Sequence, residues 1–140
     1  MNTRVAALIL LATAPAALAA DAPRTPAPPG AEVYFITPQD GEHVSTFLVV
    51  KFGLRGMGVA PAGVAAEDTG HHHLLIDVAR PDLTQPVTMD DHHIHFSKGQ
   101  TETFVELTPG EHTLQLLMAD HAHLPHDPPV ISTKITITAH

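Results

Sequence analysis

The stretch "HHHLLIDV", His71 to Val78, decides the fold. In an extended strand successive side chains point to opposite faces, so residues two apart share a side. That period sets His72, Leu74, Ile76 and Val78 on one face and His71, His73, Leu75 and Asp77 on the other. Upstream, "VSTFLVVKFGL" (Val44 to Leu54) alternates in the same way, with Val44, Leu48, Val50, Phe52 and Leu54 on one face. Ahead of it "AEVYFI" runs into "TPQDG", a Pro-Asp-Gly turn signal. Downstream, "HIHF", "TETFVEL", "HTLQLLM" and "VISTKITIT" are four further strand candidates, the last rich in β-branched residues. Short strands, frequent turns and no helical period predict an all-β domain. The expected architecture is an immunoglobulin-like antiparallel β-sandwich of about seven strands.

The chain around this core divides into three parts. Residues 1–20, "MNTRVAALILLATAPAALAA", read as a signal peptide, with Arg4 before a short apolar run and Ala17-Leu18-Ala19 as the cleavage pattern. The run is too short for a membrane span, so a periplasmic or secreted protein is expected. Residues 21–30, "DAPRTPAPPG", hold four prolines and are expected to form an extended linker that does not pack. Residues 31–140 form the sandwich domain. Within it, Gly56 to Gly70 is the longest segment without strand character, a length that points to function or mobility.

Composition narrows the chemistry. The formal net charge of −8 makes nucleic acid and anionic lipid poor partners. Cysteine is absent, which removes disulfides and thiolate metal sites alike. Four methionines without Met-x-x-Met spacing do not suit a cuprous carrier.

Histidine, in contrast, is abundant and clustered. Nine of the twelve fall in three groups: His71, His72 and His73; His92, His93 and His95; His121, His123 and His126. Imidazole is a borderline donor suited to zinc, copper and nickel. Strand spacing lets His71 with His73, and His93 with His95, converge on one ion. His121, His123 and His126 belong to the loop "DHAHLPHD", flanked by Asp120 and Asp127, which are candidate oxygen ligands or acceptors for ring N–H groups. Each cluster lies at the start or end of a predicted strand, and strand ends gather at the two poles of a sandwich; clusters that met at one pole would supply the three or four nitrogens a tight site needs. His72, on the Leu74 face, reads as structural, His112 as a residue of the core margin, and His43 and His140 as isolated. H-E-x-x-H is missing, so a metallopeptidase helix is not supported.

The motifs "GMGVAPAGV", "TGHHHLLIDV", "HIHFSKGQTET" and "PGEHTLQLLMADHAHLPHDPPV" together resemble an uncharacterised family of small secreted bacterial domains, a domain of unknown function. The likeness runs from about Tyr34 to Ile137. In the family pattern the third cluster reads Asp-His-Asn-His, and here Ala122 stands at the Asn place. The resemblance implies an exported β-sandwich and brings no activity with it.

The expected function is therefore sequestration or buffering of Cu(II) or Zn(II) by His71, His73, His93, His95, His121, His123 and His126, aided by Asp120 and Asp127. A metal-dependent redox enzyme is one alternative. An Ig-like interaction module, with its partner on the Gly56–Gly70 loop, is another.

Overall fold

Alternating apolar residues draw the chain into nine strands and, among the described residues, no helix. The computed structural model describes residues 23–140. The expected signal peptide, 1–20, and the first two residues of the proline-rich stretch lie outside the described residues. The strands are β1 (Glu32–Thr37), β2 (His43–Val44), β3 (Phe47–Arg55), β4 (Gly58–Val59), β5 (Thr69–Ile76), β6 (His93–His95), β7 (Glu102–Glu106), β8 (Gly110–Ala119) and β9 (Ile135–Ala139).

They form two layers. One sheet has the order β1-β3-β7 and is antiparallel throughout. The other has the order β2-β9-β8-β5-β4, with β6 also paired to β5. The all-β sandwich expected from the alternation is what the chain forms. Two of the nine strands exceed the expected count as two-residue ribbons, β2 and β4, and both pair parallel to their neighbours.

The core lies between the layers. Leu48, Val50 and Phe52 on β3 meet Leu74 and Ile76 on β5, Leu114, Leu116 and Met118 on β8, and Ile135 and Ile137 on β9. The register explains the choice: His72 pairs with Met118, Leu74 with Leu116 and Ile76 with Leu114, so these six share the inner face. His72 is therefore a core residue, its ring 4.6 Å from that of Phe52. β5 is followed by Asp77, which adopts a left-handed φ of 57°. Its carboxylate accepts from Thr113 N at 2.8 Å and from His112 Nδ1 at 2.7 Å, tying the strand end to β8. His112 sits, as expected, at the core margin.

β5 differs from an ordinary sandwich strand in being buried on both faces from Gly70 to Ile76. Its outer face carries His71, His73 and Leu75, in register with Ala119, Leu117 and Gln115 of β8. A second layer of loops covers that face. The proline-rich stretch joins this cover, contrary to expectation. Pro26 bridges Asp127, Ala27 N donates to Asp127 O at 3.2 Å, and Asp127 N donates to Thr25 O at 3.0 Å. It is extended, as four prolines require, and it is docked. His43 and His140 also depart from expectation: their rings meet edge-on at 5.7 Å across the β2–β9 pair.

Deleting three carbons at the centre of the inner face leaves a cavity that rigid sheets cannot close. Leu116→Ala is expected to destabilise the fold by about 2–5 kcal/mol in urea denaturation. Met89→Ala, at a residue 75 % exposed, should change it by less than about 0.5 kcal/mol.

Candidate metal centre

The outer face of β5 presents His71 and His73 side by side, their ring centroids 4.6 Å apart. Both are fully buried. His123 reaches them from the loop above, with Nδ1 at 3.0 Å from His71 Nε2 and 3.4 Å from His73 Nε2. One nitrogen from each of the three lies within 4.8 Å of the others. A four-coordinate ion with bonds of about 2.0–2.1 Å holds its nitrogens roughly 3.3 Å apart, so two of these spacings already suit one ion. His95 completes the nest. It pairs with His73 across β5 and β6, and its ring stands 4.4 Å from that of His73 and 4.8 Å from that of His123.

The loop that delivers His123 is fixed at several points. Asp120, buried at the end of β8, accepts from Ala122 N (2.9 Å) and Leu124 N (3.1 Å) through Oδ1. Its Oδ2 accepts from Thr25 Oγ1 at 2.6 Å. Arg24 donates through Nε to Pro125 O at 3.0 Å and through its guanidinium terminus to His126 O. His123 itself adopts a left-handed φ of 62°, a conformation that costs an L-residue roughly 1–2 kcal/mol. Its backbone is held on both sides, donating to Asp120 O and accepting from Val87 N, each at 2.9 Å. A strained backbone pinned in this way marks a side chain whose direction matters.

The remaining candidates are placed elsewhere. His93 shares the outer face with His95, but its Nδ1 pairs with Asp90 at 2.7 Å. His121 is exposed. His126 is buried, with Nε2 donating to Thr69 O at 3.2 Å, and makes no ring contact with the other imidazoles among the described residues. Asp120 spends one oxygen on the loop and the other on Thr25, so it orients His123 instead of facing an ion. Asp127, its side chain 64 % exposed, pairs with Arg24 at 3.8 Å. The clusters do converge, but under the loops on the face of the sheet and not at a pole of the sandwich. The reason is that β5 keeps all its hydrogen-bonded neighbours through its histidines, which lie within the strand and not at its end.

Burial dominates the electrostatics. It pushes His71 down to about 4, helped by the neighbouring His123 and His95 rings and opposed by Asp120. It pushes His73 to about 2, helped by His71, His95 and His123. His123 is lowered too, by burial and then by His95, against Asp120. All three thus offer neutral rings, the form that binds metal. One departure from an ordinary metal site is visible. The ring nitrogen facing away from a metal usually donates to a carbonyl or carboxylate. Nδ1 of His71 and of His73 are buried and have no such partner.

Residues 50–140 match the family described as Domain of unknown function (DUF4399). The chain belongs to that family. No curated protein and no solved structure matches it. The match spans β5, β6, β8 and the loop from Asp120 to Asp127, so the DUF4399 domain contains all four rings of the nest.

Sequence reasoning passed over Gly70, Arg24, Thr25 and the 87–88 segment. Gly70 precedes the three histidines, and a Cβ there would sit 2.7 Å from Ala119 O and 2.8 Å from His126 Cε1. Gly70→Ala is therefore expected to lift the Pro125–His126 turn and cost about 1–3 kcal/mol, read as a lower urea midpoint.

Acid should weaken the metal-free fold for a separate reason. His71, His72 and His73 all titrate below their unfolded value of 6.5, so from about pH 7 downwards the unfolded chain takes up protons that the folded one refuses. Their stability is fully present above 6.5 and is lost as pH falls towards 4. On the order of 1–2 kcal/mol per ring should be gone at pH 5. An unchanged urea midpoint between pH 7.5 and 5 would show that these rings are not buried neutral.

Proposed function

We propose that this protein is an exported metal-binding domain that sequesters or buffers a divalent ion of the zinc or copper type at His71, His73 and His123. The observation that carries the reading is the convergence of three imidazole nitrogens, two from fully buried rings at 3.0 and 3.4 Å from His123 Nδ1. The donor set supports the class of metal. Three neutral nitrogens with no thiolate or thioether suit Zn(II), Cu(II) or Ni(II) and leave Ca(II) and Mg(II) without the oxygen ligands they need. Export is supported by the signal-like residues 1–20.

Without an ion the three facing nitrogens, Nε2 of His71 and His73 and Nδ1 of His123, have one another as partners, at 3.0 and 3.4 Å. A bound ion would engage all three, and would stabilise the fold in proportion to its affinity.

The mature chain without an affinity tag should take up about one Zn(II) or Cu(II) per molecule with at least micromolar affinity, measured by isothermal titration. His123→Ala should lower that affinity by a factor of ten or more, on the order seen when a metal site loses a supporting group. His121→Ala, two residues away and exposed, should leave it unchanged. Several tenths molar NaCl should not strip the ion, because coordination, unlike attraction to exposed carboxylates, is not screened. Equal losses from both variants, or release by salt alone, would assign the binding to the acidic surface.

A further inference from the structure

Three nitrogens leave a zinc or copper ion one position short of four, and an open position is what separates a catalytic site from a closed one. We infer that His95 supplies the fourth nitrogen, through Nδ1, and closes the site. The inference rests on the reading of His71, His73 and His123 as ligands and adds to it a coordination number and therefore a role.

His95 Nε2 lies 2.7 Å from Thr88 O. A carbonyl only accepts, so Nε2 carries the proton and the lone pair of the neutral ring is on Nδ1. That Nδ1 is buried and has no partner. The arrangement is the one metal-binding histidines show: one ring nitrogen donates to a backbone carbonyl, which fixes the tautomer and leaves the other free for the ion. His71 and His73 lack it. His126 has it, through Thr69 O, but lies outside the nest.

Position agrees with tautomer. The register places His95 directly opposite His73, and its ring also meets that of His123. The 87–88 segment links the two covering rings: Val87 N donates to His123 O, and Thr88 O accepts from His95. His95 and His123 are thus held by adjacent residues, Thr88 and Val87, next to the pair on β5. A zinc ion held by four imidazoles would have no exchangeable position, as in closed sites that store an ion and do not activate water on it.

The test is the water-proton relaxivity of the Cu(II)-loaded mature chain, which rises when a water sits on the ion and exchanges with bulk. The wild type should show a lower relaxivity than His95→Ala, and its electron spin-echo modulation should count four coordinated imidazoles. His95→Ala should raise the relaxivity and weaken Cu(II) by about 10–100-fold or more, and added imidazole should reverse both. Three imidazoles instead of four in the electron spin-echo modulation of the wild-type Cu(II) form, or an affinity and relaxivity unmoved in His95→Ala, would overturn the fourth ligand while leaving the other three standing. The wild-type measurement needs no variant to fold. A wild type that binds no Cu(II) or Zn(II) would overturn the three-histidine site itself, and His95 with it.

Discussion

The structure depends on one constraint: a central strand, β5, that has no solvent face. A sandwich strand normally buries one side and wets the other. Here the second side carries two imidazoles at full burial, and burial of polar rings is unfavourable unless their nitrogens are satisfied. The chain must therefore build a second cover over the sheet. Most of what lies outside the sandwich proper serves that cover. β6 continues the sheet past His73, the Gly56–Gly70 segment ties back through Ala62 N to Ser97 O and Gly63 N to His121 O, and the Asp120–His126 loop closes the top.

The cover is held by directed hydrogen bonds as well as by apolar burial, Leu75, Leu117 and Leu124 all being buried. Asp120 is the hub, fully engaged between its own loop and Thr25. Arg24 holds two successive carbonyls of the same loop. These bonds fix the loop's direction, which hydrophobic contact does not do, and direction is what His123 needs when it must point one nitrogen at two others. The proline-rich residues suit this role for a simple reason. Proline limits the freedom of the unfolded strap, so less entropy is lost when Arg24 to Ala27 dock.

Legibility in the sequence followed the range of the signal. The sandwich was readable because strand alternation is local: Leu48, Val50 and Phe52, or Leu74 and Ile76, declare a face within a few residues. His71 and His73 were readable as a pair for the same reason, and His72 as their structural opposite. The location was not, because strand ends and strand faces look alike in a one-dimensional pattern. Selection among the loop histidines was not readable either. His121, His123 and His126 are equivalent by composition, and only the turn built by Asp120, with its left-handed His123, distinguishes the middle one. The packing of residues 24–27 rests on contacts a hundred positions away in the chain, which no local pattern carries.

The separation of charge from site has a consequence for selectivity. The exterior is acidic, and a negative surface raises the local concentration of all cations alike. Discrimination must come from inside. Asp127 faces solvent, and Asp120 is divided between its loop and Thr25, so neither of these two carboxylates is free beside the four rings. On the proposed reading, hard cations gather at the surface and find no oxygen ligands within, while a borderline ion exchanges its water for neutral nitrogen. The low titration of His71 and His73 acts in the same direction. Rings that stay unprotonated well below neutral pH keep protons from competing, so the same burial that makes the empty site costly keeps it ready for an ion.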